Sequence, residues 1–228
     1  AALLAEVLLG GDVPLDGGAA GDDLKMNCTA VGLDGEVASD AIVIAHLSTH
    51  VPLAIGVAHG HRPISPSLTV TKADGASLQE VDGRPAWDVW REYTREEAAK
   101  QGIDVDNLTP EQEGAYLLRF EAGLAMGDEW KVRAPLSRDA SGALSLATAI
   151  PQGAVIRITE STPERQVAAA QSAAENAKKQ LNGRACAGAI VFDCICRNLI
   201  LGDAFEDAVG AIADTLGGAP LAGFETYG

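Results

Sequence analysis

ACAGAIVFDCICRNLILGDAFEDAVGAIADTLGGAPLAGFETYG, residues 185–228, is the stretch from which the rest of the chain is best read. Residues 185–192 are an apolar run of strand length, and it ends in Asp193, Cys194, Ile195, Cys196 and Arg197. In an extended chain Cys186, Gly188, Ile190 and Phe192 share one face, while Ala187, Ala189 and Val191 share the other. Both faces are apolar, which predicts a strand internal to its sheet. Small polar and ionisable groups at the end of such a strand do not serve a core. Strand ends of open sheets are where ligands are held. Beyond them, Asp203 and Glu206 have capping-box spacing, and Phe205, Val209, Ile212 and Leu216 mark the inner face of a helix that Gly217-Gly218 ends. After Pro220 a second short strand reaches Phe224.

Upstream, Thr162-Pro163-Glu164 reads as a helix start, with a hydroxyl cap, proline at the first position and an acid in the first turn. Val167, Ala170, Ala174, Ala177 and Leu181 give that helix a thin apolar stripe suited to lying close on a sheet. Segments 116–123, 129–137, 143–150 and 154–160 read as strands. SLTVTK and SLQEV flank a hairpin turn, and Pro85 opens a helix carrying Trp87, Val89, Trp90 and Tyr93. Residues 95–114 are polar and read as a loop with short helices. A boundary is expected near HGHRPISP (59–66). Before it, Asp34-Gly35 marks a hairpin, and AIVIAHL (41–47) and PLAIGVAHG (52–60) read as strands, the first central. AALLAEVLLGG (1–11) reads as the end of a helix. The class is α+β: a mixed, largely antiparallel sheet or sheets with flanking helices, in two unequal parts. These are 1–55, a β-rich and incomplete half, and 56–228.

Composition excludes several functions. Thirty-two acids against seventeen bases leave a formal charge of −15, which repels nucleic acid and anionic membrane surfaces alike. Aromatics are only 4% of the 228 residues, so stacking platforms for bases or sugars are scarce and the core must rest on Ala, Val, Leu and Ile. No run of about eighteen apolar residues occurs, so no membrane-spanning helix is expected. Four cysteines in a chain of this size make no disulfide scaffold, and a reduced, cytoplasmic setting is expected.

Each candidate site has a plain structural counterpart. Arg197 beside Cys194 would favour the thiolate or clamp a carboxylate by two hydrogen bonds; alternatively it pairs with Asp193 and the thiols are packing. A cysteine nucleophile needs a base in reach, and His46, His50, His59 and His61 are all distant in sequence. His59 and His61 with Cys194 and Cys196 could make a tetrahedral zinc site, but pairs one residue apart are uncommon in such sites, and no metal site is expected. GGAAG at 17–21 lacks the Lys and Ser/Thr of a phosphate-binding loop and is followed by two aspartates, so it reads as a turn. No cofactor motif is present. Arg62 and Arg84 stand near prolines and are further candidates for a carboxylate.

Four stretches occur in order: GHGHRPISPSLTVTKADGASLQEVDGRPAWDVW, VRAPLSRDASGALSLATAIPQGAVIRI, AIVFDCICRNLILGD and PLAGFETYG. Together they resemble the C-terminal half of a FIST domain, the sensory module of F-box and intracellular signal-transduction proteins. Residues 1–55 resemble the end of its N-terminal half. The family's Cys-x-x-Arg pattern falls on Cys194 and Arg197, its DG-x-PA on Asp82, Gly83, Pro85 and Ala86, and its GF-x-x-x-G on Gly223, Phe224 and Gly228. The resemblance implies a ligand-sensing domain that works with a signalling output domain or protein. It also implies that the start of the N-terminal half lies outside this sequence. The ligand expected is a small carboxylate such as an amino acid, held by Arg197, Asp193 and Cys194 with Arg84 or Arg62. The alternatives are an enzyme with Cys194 as nucleophile, or a protein-interaction scaffold exposing an apolar patch.

Overall fold

The computed structural model describes residues 14–25, 27–126 and 129–228. The helix end read at residues 1–11 lies outside them. By contact density the chain divides into two compact units. One takes in the described residues up to Ala58 with Ala170–Asn198 and Phe205–Gly228; the other takes in His59–Ala169 and Leu199–Ala204. The α+β class holds.

The second unit contains the large sheet. Its strands are β3 (Arg62–Pro63), β4 (Leu68–Asp74), β5 (Ser77–Val81), β6 (Arg84–Pro85), β7 (Ala122–Met126), β8 (Glu129–Arg133), β9 (Pro135–Arg138), β10 (Leu144–Leu146) and β11 (Val155–Glu160). They run β8-β7-β11-β4-β5-β10-β9, with β3 on β11 and β6 on β5, and every pairing is antiparallel. The hairpin read between SLTVTK and SLQEV is present, with Gly75 at φ 56°. Asp82 and Gly83, at φ 49° and 74°, make a second two-residue turn into β6. Positive φ at both central positions is the type I′ signature that Asp-Gly favours.

Pro85 then launches helix α1 (Ala86–Lys100), which buries Trp87, Val89 and Trp90. It runs through residues 95–100, where a loop is expected from polarity. Its polar residues there are solvated while Ala98 is buried, and Lys100 pairs with Glu96 and Glu97 one turn back. Helix α2 (Pro110–Arg119) replaces the first half of the strand read at 116–123, whose last two residues do begin β7. Thr109 accepts from the Gln112 N–H while Gln112 reaches back to the Thr109 N–H, a complete capping box followed by proline. That local signal outweighs the strand-like YLLRF run. Tyr116, Leu117 and Phe120 join Trp90, Leu144, Ile156 and Ile158 in a core with Leu78 and Val81. Trp90 donates its indole N–H to the Phe120 carbonyl at 2.9 Å, and the Thr94 and Tyr116 hydroxyls meet at 2.6 Å. These buried polar atoms are therefore satisfied.

In the first unit, β1 (Val31–Leu33) and β2 (Glu36–Ala38) form the hairpin expected at Asp34-Gly35, with φ 53° and 83° at the turn. Residues 41–47 and 52–58 belong to no strand among the described residues, and Ile42, Ile44 and Leu47 are more than half exposed. A central strand needs hydrogen-bonding neighbours on both edges, which an apolar run does not itself supply.

Helix α3 (Pro163–Gln180) starts where Thr162-Pro163-Glu164 places it. Its Ala stripe allows close approach. A Cβ on Gly56 would stand 1.9 Å from the Ala173 carbonyl oxygen. The Gln180 amide bonds both the C=O and the N–H of Ile55.

The C-terminal strands β12 (Ala189–Cys194) and β13 (Leu221–Thr226) pair in parallel over six residues. This corrects the reading of 185–192 as an internal strand: β12 starts later, its only described partner is β13, and Ile190 is 66% exposed. Helix α4 (Ile195–Leu201) follows directly, then a 3-10 turn, Gly202–Ala204, and α5 (Phe205–Thr215). In α5, Ala208 and Ile212 are buried while Val209 is exposed. No helix among the described residues is long and apolar enough to cross a membrane.

Candidate functional site

At the carboxyl end of β12 the chain passes from strand to helix without a loop. Asp193 and Cys194 are the last strand residues, and Arg197 lies within α4. The helical turn folds Arg197 back over Asp193, with Nε 3.0 Å from Oδ1. Only 11% and 12% of these side chains are exposed. Burial pushes the Asp193 carboxyl above the usual carboxylate range, and Glu225 adds to this; Arg197 and the Cys194 N–H act against it without cancelling it.

Cys194 responds in the opposite direction. A hydrogen bond from the Cys196 side chain pulls its thiol down most, burial opposes this, and the Cys196 N–H and Arg197 add to the lowering. The result is about 7. Across the sheet, Asp193 stands opposite Glu225 and Cys194 opposite Thr226. The Thr226 hydroxyl donates to the Asp193 carbonyl at 3.1 Å, and the Asn198 amide donates to Glu225. The strand–helix junction is thus fastened on both sides, with the half-buried residue Cys194 at its centre.

Asp193, Cys194 and Arg197 are therefore brought together. Arg62 and Arg84 belong to the other unit, and carboxylates already engage both. Arg62 lies 2.6 Å from Glu160 and 3.3 Å from Glu97; Arg84 lies 2.6 Å from Glu92. An open groove of about 780 Å³ in that unit runs past Trp87, Leu108, Glu113 and Ser137. Its Arg138 stacks on Trp87 at 4.1 Å and pairs with Glu113 at 2.7 Å.

Sequence reasoning missed a buried polar cluster at the end of β11. His61 Nε2 is 3.8 Å from Glu121, each side chain only 4% exposed, and Thr159 reaches His61 Nδ1 at 3.3 Å. Ser161 donates to the Gly60 carbonyl and accepts from Gln166. Glu160 takes Arg62 and Arg165. The run RITES at 157–161, with Thr159, Glu160 and Ser161 consecutive at and just past the end of β11, was the available signal. These bonds tie residues 60–62 to β11, a stabilising role that hydrogen-bonded buried groups commonly have.

Comparison with known proteins places this geometry in context. A FIST N domain matches residues 1–84, and a FIST C domain matches residues 86–228. An uncharacterized protein of Mycobacterium tuberculosis is 27% identical over 227 residues, 93% of this chain and 54% of its own length. One from Mycobacterium bovis is 27% identical over 181 residues, covering 75% of this chain and 44% of that protein. A third, from Methanocaldococcus jannaschii, is 31% identical over 87 residues, 36% of this chain and 17% of its own. The chain spans about half the length of the mycobacterial relatives it matches. No solved structure matches it. The two domain matches adjoin at Arg84–Ala86, where β6 passes into α1, and between them they span the whole sequence: the chain belongs to the FIST family, whose domains are sensory domains of signal-transduction proteins.

Proposed function

We propose that this chain senses a small carboxylate-bearing metabolite, amino acids included, at the carboxyl end of β12. Arg197 receives the ligand carboxylate, Cys194 lines the wall, and Asp193 is the internal carboxylate that the ligand displaces. The observation that carries this reading is the Asp193–Arg197 pair itself: a guanidinium held nearly buried, 3.0 Å from a carboxylate. Burial already disfavours the charged form of Asp193, so a competing carboxylate meets a partner that readily gives up its charge. A bidentate carboxylate–guanidinium contact is stronger than a single one. The signalling output would be carried by a separate domain or partner, in a cytoplasmic setting.

Thermal-shift screening against amino acids and organic acids tests this. A concentration-dependent rise in Tm that disappears in folded Arg197→Gln supports it. A flat response at millimolar ligand from intact protein overturns it.

A second reading, an interaction surface, is favoured by Ile42, Ile44 and Leu47, each more than half exposed in a stretch that joins no strand among the described residues. Such a stretch suits strand addition to an extended polypeptide. Lower association with Ile44→Lys, measured by light scattering, would support it; no association of the parent chain at high concentration would remove it.

A further inference from the structure

Cys194 and Cys196 form a hydrogen-bonded thiol pair at the junction of β12 and α4. Both residues are half-buried, so neither belongs to the sealed core. The other two cysteines make different contacts. Cys28 is exposed and faces Ser39 at 3.8 Å, and the Cys186 thiol points to the Gly188 carbonyl at 3.4 Å. Only at 194 and 196 do two thiols of this chain engage each other among the described hydrogen bonds.

The sulfur of Cys194 accepts from both the side chain and the N–H of Cys196, with Arg197 adding positive potential. These are the conditions that hold a thiolate near neutral pH. The acidic neighbour Asp193 opposes them, yet its charge is matched by Arg197. Two residues of chain span at most roughly 7 Å, and entry into the helix shortens that distance. The Cα separation therefore falls near or within the range of about 4.4–6.8 Å that a disulfide accepts.

We propose that Cys194 and Cys196 are a redox-active dithiol that exchanges with small-molecule disulfides, Cys194 attacking and Cys196 resolving. The Cys194 thiolate attacks one sulfur of the incoming disulfide. A protein–small-molecule S–S bond forms, and the other half leaves as a thiolate that takes a proton from water. Cys196 then loses its proton to solvent and attacks the Cys194 sulfur, closing the 194–196 bond and expelling the second small thiolate, which is protonated in turn. Two electrons pass from the dithiol to the disulfide, which ends as two thiols. Closure removes the S–H···S bond beside Asp193 and Arg197. The oxidation state is thereby read at the same strand–helix junction as the carboxylate site, although the exchange does not depend on that site binding anything.

The test is incubation of the whole chain with oxidised glutathione at neutral pH, acid quenching, intact mass and peptide mapping. The expected wild-type product is a 194–196 disulfide carrying no glutathione. Cys196→Ala should stop at one glutathionyl group on Cys194, and Cys194→Ala should leave Cys196 reduced. A stable glutathione adduct on wild-type Cys194, a bond joining Cys194 to Cys186, or modification confined to Cys28 would each overturn the proposal. The wild-type map decides the question even where a variant fails to fold.

Discussion

The phenol of Tyr227 donates to the carboxylate of Asp22 and accepts from the Asp22 N–H at 3.1 Å, joining residues 205 positions apart. Leu24 N–H adds a third bond at 2.8 Å. Ala19 exchanges backbone hydrogen bonds with Tyr227 and Gly228, and Gly18 lies against Thr226 so closely that a Cβ would fall 2.3 Å from its methyl group. The loop DGGAAGDD is therefore a clamp on the end of β13, and its Gly18 serves close approach to Thr226. Tyr227→Phe leaves two N–H groups without their acceptor and should lower stability by about 1–2 kcal/mol. Urea unfolding measures this, and tryptic cleavage after Lys25 should quicken.

Asp193 makes stability pH-dependent in an uncommon direction. Its folded pKa lies above the ordinary 3.8, so the folded chain holds this proton more tightly than the unfolded one. The group adds most stability below pH 3.8, and that contribution is lost as pH rises through the raised folded value. Asp193→Asn should flatten this part of the profile, so that the gap between variant and parent shifts in favour of the variant as pH rises from about 4. Urea midpoints across that range give the answer; parallel curves would contradict it.

Alkylation of Cys194 by iodoacetamide should have a pH midpoint near 7. Because the Cys196 side chain is the largest cause of the lowering, Cys196→Ala should move the midpoint up toward the ordinary 9.0, with burial acting in the same direction. Peptide-resolved labelling over pH 5–9 reads both values. An unchanged midpoint would place the cause elsewhere.

Gly56→Ala should destabilise by about 1–3 kcal/mol, the usual cost of overpacking. The new methyl meets the Ala173 carbonyl oxygen at 1.9 Å and the Ala177 nitrogen at 2.8 Å, both backbone atoms of a helix that cannot step aside locally. Denaturant titration of the folded chain checks it. A neutral result would mean that residues 52–58 do not rest on α3.

Much of the fold could be read from local chemistry. Asp34-Gly35 and Asp82-Gly83 mark turns because their backbone demands positive φ, which few other pairs tolerate. Thr162-Pro163-Glu164 marks a helix start because the cap is satisfied within four residues. The α2 capping box was equally local, but YLLRF, read by its apolar content, concealed it. Of the candidate site, the residues past Phe192 stood out because ionisable groups rarely follow an apolar strand unless something employs them.

The amino-acid sequence alone determined the class, the turns, most helix starts and the acidic surface, since each depends on neighbours a few positions away. Tertiary structure decided that residues 41–47 join no strand among the described residues and that β12 has β13 beside it. It also decided that Arg197 folds onto Asp193 within a helix and that Arg62 and Arg84 are claimed by glutamates. Strand pairing and buried charge pairing are settled by partners distant in the chain, and no local pattern encodes who those partners are.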